Sequence, residues 1–275
     1  MKIDAHQHFW VYDPIKYDWI SDDMSVIRQN HLPQDLHPIL KENGLDACIT
    51  VQSHQSEEEN DFQLANASKN DFIKGVVGWV DLQADNIEER LAYYQQFPIM
   101  KGFRHVLQGE QDRALMLKKE FMNGISKLQQ FGFTYDILIF EDQIDFSSTL
   151  VETFPNQAFV LDHIAKPDIK HQKITDWEKA IKKLAQHENV SCKVSGMVTE
   201  ADWKNWKQAD FEPYLDVVFN AFGTDRLMYG SDWPVCRVAA DYKQVLEIFK
   251  TYIQSLSSTE QDKVMGENAA KFYNI

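Results

Sequence analysis

Short apolar runs of strand length recur along the chain, and an amphipathic segment with helical spacing follows each of them. Runs such as 47–51 and 76–80 are apolar at nearly every position, which is typical of a parallel strand buried on both faces. Eight strands are predicted, over residues 2–8, 45–53, 73–81, 99–107, 131–140, 158–164, 190–196 and 227–233. Helices are predicted over residues 34–43, 57–69, 86–96, 112–130, 145–154, 175–187, 209–222, 240–254 and 258–270.

This alternation predicts an α/β fold, a single-domain (β/α)8 TIM barrel over residues 1–275. A doubly wound open sheet is the alternative, although such sheets usually have fewer strands. No stretch rich in Gly, Pro or Ser divides the chain into domains. The segment 8–32 is long for a strand-to-helix connection, and its aromatic residues predict a lid or a wall of a binding site.

The net charge narrows the classes of expected partner, and the cysteine content narrows the expected compartment. The formal net charge of −14 repels nucleic-acid phosphates and anionic lipids, so neither is an expected partner. No run approaches the 18 or so apolar residues of a transmembrane helix, and no secretory signal is recognised. The three cysteines, Cys48, Cys192 and Cys236, are far apart and odd in number, which favours a reducing cytoplasm over a disulfide framework.

The first predicted strand carries the pattern Asp4-Ala5-His6-Gln7-His8. Side chains two residues apart in a strand project to the same face, so the two imidazoles should lie about 7 Å apart along the strand, with Asp4 one step below them. Such a pair can bind a metal or exchange a proton with a substrate. Taken alone, the pattern fits a polar strand without function equally well.

Polar residues stand at the ends of nearly all the predicted strands, where a barrel places its active site. A single polar strand end means little, but a set of this size is hard to attribute to chance. The set comprises His6, His8, Gln52, Ser53, His54, Asp81, Arg104, His105, Asp136, Asp162, His163, Lys193, Ser195 and Asp232.

His-x-His on the first strand, a histidine on the sixth and an aspartate on the eighth resemble the amidohydrolase superfamily. The segments 32–36, 51–53, 75–81, 101–105, 162–167, 193–196 and 230–234 are more specific and resemble its amidohydrolase-2 branch of lactonases. The resemblance covers almost the whole chain. It implies an enzyme that opens sugar-acid lactones such as L-fuconolactone or L-rhamnonolactone.

The chemistry of lactone opening assigns roles to these residues. Water must be deprotonated and the leaving alkoxide protonated, which we predict for Asp232. His163 and Arg104, together with His105, are predicted to polarise the carbonyl or hold the ring. His6, His8, His163 and Asp232 are candidate ligands for one divalent ion, zinc, but the sequence leaves open whether any metal is bound. The fifth strand offers neither Lys nor His, which argues against the two-metal site of other superfamily members.

The substrate is predicted to be a neutral, hydroxyl-rich aldonolactone, because only Arg104 among six arginines falls in a strand end and a dicarboxylate would favour several. The predicted substrate-binding residues are Trp10, Gln52, Trp79, Lys193 and Trp233. Asp81 and Asp162 are expected to orient the histidines, and Lys166 is expected at the surface. The alternatives are a metal-dependent amidase or decarboxylase of the same superfamily, and a barrel that binds a sugar acid without catalysis. The sequence is compatible with a homo-oligomer.

Overall fold

The computed structural model describes residues 1–275 as a ring of eight parallel strands surrounded by helices. The strands are β1 (Ile3–Gln7), β2 (Ala47–Val51), β3 (Ile73–Gly78), β4 (Met100–Val106), β5 (Thr134–Leu138), β6 (Phe159–Leu161), β7 (Val190–Val194) and β8 (Leu227–Tyr229). The helices are α1 (Pro33–Glu42), α2 (Glu57–Ala67), α3 (Ile87–Tyr94), α4 (Lys119–Leu128), α5 (Ile144–Thr153), α6 (Thr175–Leu184), α7 (Glu212–Phe222), α8 (Tyr242–Ile253), α9 (Ser258–Asp262) and α10 (Asn268–Phe272).

The strands lie side by side in sequence order from β1 to β8. Two hydrogen bonds just beyond β8 close the ring, since the Asp232 amide donates to the His6 carbonyl at 2.8 Å and the His8 amide to the Trp233 carbonyl at 2.7 Å. Closure excludes the open doubly wound sheet and confirms the predicted barrel. It also brings the polar residues at the end of β1 beside those at the end of β8.

The strands β6 and β8 end earlier than their apolar runs predict. The runs extend to 164 and 233, but the strands stop at Leu161 and Tyr229. The backbone leaves the extended conformation at these ends, where His163 and Asp232 have φ of 53° and 57°. The predicted helix over 112–130 likewise begins only at Lys119, because Lys118 is extended with ψ of 145°.

Apolar side chains fill both sides of the strand ring. The larger cluster lies between the strands and the helices, and a smaller one joins residues of β1, β2, β3, β6 and β8 inside the barrel. Tyr273, next to α10, belongs to the inner cluster and closes the barrel floor. The three cysteines are buried and free, and none of the helices is both long and apolar enough to cross a membrane.

Candidate active site

Three polar side chains from opposite ends of the chain meet at the C-terminal mouth of the barrel. His8 Nε2 lies 3.2 Å from His6 Nε2 and 3.3 Å from Asp232 Oδ1. His6 Nε2 lies 3.9 Å from the same carboxylate oxygen, and all three residues are buried. The structure therefore brings the first and eighth strand ends together, as the sequence predicts.

Asp4 does not share the face of the two imidazoles. The register between β1 and β2 shifts between Asp4 and Gln7, which breaks the simple alternation of the strand. Asp4 Oδ2 accepts a hydrogen bond from the Tyr242 hydroxyl at 2.9 Å, and Oδ1 accepts one from the Ser231 amide at 2.9 Å. The expectation that Asp4 lies below the histidines is therefore wrong, and Asp4 instead fastens β1 to the segment after β8.

The partners of the two imidazoles fix their tautomers. His8 Nδ1 lies 2.8 Å from the Val51 carbonyl, which can only accept, so Nδ1 carries the proton and Nε2 presents a lone pair. His6 Nδ1 lies 3.2 Å from Asp162 Oδ1. Burial holds the pKa of His6 well below its usual value in spite of this carboxylate. Both Nε2 atoms therefore face the Asp232 carboxylate as acceptors.

His163 reaches the same place through a left-handed turn. His163, Ile164, Ala165 and Lys166 have φ of 53°, 50°, 61° and 50°, a conformation that costs a non-glycine residue on the order of 1–2 kcal/mol. The turn is held by a hydrogen bond of 2.8 Å from the Lys166 amide to the His163 carbonyl. Trp177 Nε1 donates to the Ile164 carbonyl, also at 2.8 Å. Four successive strained residues at one strand end are what a functional site, rather than a plain connection, is expected to contain.

The turn places the His163 imidazole against the Asp232 carboxylate. His163 Nε2 lies 3.9 Å from Asp232 Oδ1, and Nδ1 lies 2.8 Å from Ser195 Oγ. A Cβ at Gly196 would come within 2.6 Å of this Nδ1, so glycine is required for the close approach. Burial lowers the pKa of His163 well below its usual value. Because a hydroxyl both donates and accepts, Ser195 permits either tautomer of the neutral ring.

Arg104 joins this cluster from β4. Its Nη1 donates to Asp162 Oδ2 at 2.9 Å and lies 3.2 Å from His6 Nε2, while Nη2 donates to the Gln52 carbonyl. Burial alone would raise the pKa of Asp162, but Lys193, His6 and Arg104 hold the pKa of this carboxyl well below its usual value. Asp162 therefore orients His6 and neutralises Arg104, as predicted for its structural role.

Lys193 lies beneath the cluster rather than in the substrate space. Its side chain is fully buried, and Nζ lies 3.1 Å from Asp162 Oδ1 and 3.3 Å from His6 Nδ1. It also pairs with Asp136, which accepts a hydrogen bond from the Tyr273 hydroxyl at 3.0 Å. Asp136 and Asp162 thus balance Lys193 and Arg104 in a buried ion cluster that supports the imidazoles from below.

A cavity opens above these groups. Its volume is about 150 Å³. Polar side chains on its wall include His8, Arg104, His163 and Asp232. Its apolar wall consists of Trp19, Val106, Leu138 and Val235. A small ligand with one apolar side would therefore be held against the Asp232 carboxylate.

Three predicted substrate-binding residues, Trp10, Gln52 and Trp233, lie one layer behind the cavity wall. Trp10 is fully buried and donates to the Gln29 carbonyl at 2.9 Å. Gln52 Nε2 donates to the Arg104 carbonyl at 3.2 Å. Trp233 packs edge-on against His31, with 5.2 Å between ring centroids. Their part in substrate binding stays a prediction, and the structure gives them a supporting position.

His105 and Trp79 form a second group apart from the Asp232 cluster. Trp79 Nε1 donates to His105 Nδ1 at 3.4 Å, and His105 Nε2 lies 2.8 Å from Glu110 Oε1. Neither residue is on the cavity wall. Proximity to the Asp232 carboxylate therefore supports neither predicted role. These roles are catalysis for His105 and substrate contact for Trp79.

Sequence reasoning misplaced Lys166 and Asp81, and it did not identify the wall residues Val106, Gln108, Leu138 and Val235. Lys166, expected at the surface, lines the cavity because of the left-handed turn, and Trp19 lines it from the long loop after β1. The position of Trp19 agrees with the prediction that aromatic residues of segment 8–32 form a wall of the binding site. Asp81, expected to orient a histidine, instead accepts from the Gln83 amide at 2.9 Å.

The donor set fits a single divalent ion. The His6 Nε2, His8 Nε2 and Asp232 Oδ1 atoms lie 3.2 to 3.9 Å apart, close to the roughly 3.3 Å between ligands of a tetrahedral zinc with bonds of about 2.0 Å. Carbonyl and carboxylate partners on the far imidazole nitrogens are typical of metal-binding histidines. The Arg104 guanidinium lies next to this donor set, with Nη1 3.2 Å from His6 Nε2.

The sequence profile of the amidohydrolase family matches residues 3–275. The chain therefore belongs to the amidohydrolase family. Two curated relatives are named L-fucono-1,5-lactonase. That of Burkholderia multivorans is 38% identical, with 100% of this chain and 96% of the relative covered, and that of Burkholderia ambifaria is 33% identical with the same coverage.

A crystal structure of an amidohydrolase from Burkholderia multivorans with bound zinc has the same fold as this chain. It superposes with a TM-score of 0.97 at 37% sequence identity, covering 100% of this chain and 99% of that one. The family membership and the barrel predicted from the sequence are confirmed.

Proposed function

We propose that this protein is a lactonase that hydrolyses the ring ester of a sugar-acid lactone. The observation that carries the proposal is the convergence of Asp232 with three imidazoles at the floor of a cavity. The two relatives named L-fucono-1,5-lactonase, matched over their length, support the same reaction.

In this mechanism Asp232 is the acid and base. Its carboxylate takes a proton from water as the water oxygen bonds to the lactone carbonyl carbon. When the tetrahedral intermediate collapses, the ring C–O bond breaks and Asp232 returns the proton to the departing alkoxide. The product is the open-chain hydroxy acid. The His8 imidazole borders the carboxylate that carries out this exchange, with Nε2 3.3 Å from Oδ1.

In the proposed mechanism, His163 and Arg104 stabilise the carbonyl oxygen as it gains charge. If Nδ1 of the neutral His163 accepts from the Ser195 hydroxyl, Nε2 carries a proton and can donate to that oxygen. Arg104 adds positive charge at the cavity floor, and its partner Asp162 keeps the guanidinium in position.

A bound zinc ion would be held by His6, His8 and Asp232, and by His163 in the tautomer whose Nε2 carries no proton; it would lower the pKa of bound water towards about 7. One possible ligand atom each from His6, His8 and Asp232 lies within 4.8 Å of the other two. The side chains also supply a base and oxyanion donors of their own, and a lactone is a more reactive acyl group than an amide. We therefore propose that a bound ion would assist hydrolysis together with these side chains and would not be its only catalyst.

The proposed substrate is a neutral aldonolactone, with L-fucono-1,5-lactone as the first to test. The two cations of the cavity wall have acidic partners, Asp162 for Arg104 and Glu200 for Lys166, so little positive charge is left for a dicarboxylate. We also propose a cytoplasmic location, supported by the three free cysteines.

The test is a panel of L-fucono-, L-rhamnono- and L-galactonolactones assayed with and without a chelator. Hydrolysis of at least one of them, with the metal content of the protein measured in parallel, is the expected result. Turnover of amides or decarboxylation with an obligatory metal would favour the alternative enzymes of the same scaffold. Binding of a sugar acid with no turnover of any lactone would overturn catalysis altogether.

A further inference from the structure

The left-handed turn after β6 brings a second side chain to the cavity besides His163. Lys166 lines the wall together with His163 and Asp232, although it follows the histidine by three residues. In a helical turn with about three residues per turn, side chains three apart project to the same side. The strained backbone therefore presents an imidazole and an ammonium to one ligand.

The surroundings of Lys166 keep its ammonium at the rim of the cavity. Lys166 Nζ lies 3.7 Å from Glu200 Oε1, and the two side chains are 16% and 21% exposed. The ammonium also lies 5.6 Å from the centroid of the Phe140 ring, within range of a cation–π interaction. A contact of 3.7 Å is too long for a hydrogen bond, so both groups retain capacity for a further partner.

Two adjacent hydroxyl groups can be recognised by a hydrogen-bond donor that lies beside an acceptor. The ammonium has only donors, and a carboxylate has only acceptors. A sugar with neighbouring hydroxyl groups can accept from one and donate to the other. Arg104 and Asp232, which face the reacting carbonyl in the proposed mechanism, lie near the floor, whereas this pair lies at the rim.

We propose that Lys166, with Glu200 as its partner, is the specificity-determining residue of the site and binds ring hydroxyls of the lactone. The inference rests on the proposed function and deepens it. It assigns recognition of the hydroxylated part of the substrate to the turn after β6. The reacting ester stays with Asp232 and the imidazoles.

The experiment compares Lys166→Met with wild type on two six-membered lactones, L-fucono-1,5-lactone and unsubstituted δ-valerolactone. Loss of a hydrogen bond to a charged donor lowers kcat/KM for the sugar lactone by about tenfold to a hundredfold, mostly through KM. The ratio of kcat/KM between the two lactones therefore falls by at least about tenfold. Lys166→Arg should restore part of this ratio, and Glu200→Gln should lower it less than Lys166→Met does.

Lys170→Met is the matched control, because Lys170 is exposed on the same connection and should leave the ratio unchanged. Thermal unfolding of each variant excludes a folding defect as the cause. A Lys166→Met variant that loses activity equally on both lactones would overturn the inference while leaving lactonase activity intact. Failure of the wild type to hydrolyse any lactone would overturn both the function and this inference.

Discussion

The ends of β1 and β6 both deliver imidazoles to the Asp232 carboxylate, but by different backbone routes. At β1, His6 and His8 project from extended backbone and are two residues apart. At β6, His163 is presented by four residues in the left-handed conformation. The first route is visible in the residue spacing, whereas the second is a tertiary arrangement that surrounding contacts impose.

The two routes also differ in what supports them. His6 rests on a buried ion cluster through Asp162, whereas His163 has one hydroxyl partner, Ser195, and a glycine behind its ring. Charge holds the first imidazole and close packing holds the second. Substitutions at each support should therefore have different signatures.

The largest effect is expected at the carboxylate that both routes meet. Asp232→Asn removes the acid–base group with little change in volume, and kcat on the best lactone should fall by about 10²- to 10⁴-fold. Steady-state kinetics measures the loss, and Asp81→Asn, at an exposed turn aspartate, is the control. If Asp232→Asn turned over the lactone at the wild-type rate, Asp232 would not be the acid–base group that the surrounding imidazoles support.

Asp162→Asn should damage the β1 route through stability. It leaves Arg104 and Lys193 buried with one carboxylate between them, and loss of a buried ion partner costs about 3–5 kcal/mol. Because the pKa of Asp162 is lowered in the folded protein, its stabilisation is present above the unfolded pKa of about 4 and is lost as pH falls through the folded value.

Urea unfolding at several pH values tests this prediction. The stability gap between wild type and Asp162→Asn should stay constant from pH 8 down to about pH 4 and close only below that. Asp145→Asn, at an exposed ion pair, should change stability by less than about 0.5 kcal/mol. A gap that closed near pH 6 would contradict the depressed pKa.

Gly196→Ala should damage the β6 route through packing. The new Cβ would meet the His163 ring at 2.6 Å, and the residue has φ of 65°. Gly223 has the same φ of 65° with nothing within 4 Å of an added methyl group, so Gly223→Ala isolates the backbone strain. We expect Gly196→Ala to lose about 1–3 kcal/mol more than Gly223→Ala and to lower kcat, as unfolding and kinetics would show. Equal losses of stability in the two variants would mean that the His163 ring moves aside without an energetic cost.

The smallest effect is expected for Ser195→Ala. It removes the hydrogen-bond partner of His163 Nδ1, so the tautomer and orientation of the ring become less defined, and kcat should fall about tenfold. Ser126→Ala, in α4 where the hydroxyl donates to the Asn123 carbonyl, provides the kinetic control. An unchanged kcat would limit the role of Ser195 to packing.

The fold and the β1 route could be predicted because they depend on local periodicity. Buried parallel strands are continuous apolar runs, and His6 and His8 share a face because they are two residues apart. Asp232 belongs to the last predicted strand end, and closure of the barrel then places it beside the first. These features need only the pattern and the barrel topology.

The other features depend on contacts that no local pattern encodes. The turn at Lys166 exists because Trp177 and the barrel wall hold buried residues in a conformation that their own propensities disfavour. Asp4 leaves the imidazole face because of a one-residue irregularity in β1. Trp10 and Trp233, predicted to bind substrate, are buried behind the wall. Trp19 from the long loop packs edge-on against Trp10 and lines the cavity in its place.

The hydrogen bond between Tyr273 and Asp136 has a consequence for biosynthesis. Tyr273 contributes a hydroxyl to the ion cluster beneath His6, so those charges are fully partnered only after residue 273 has emerged from the ribosome and packed against the barrel. A nascent chain that has emerged only as far as β8 still lacks this floor. Catalytic competence should therefore arise only once Tyr273 has packed beneath the cluster, and not progressively along the growing chain.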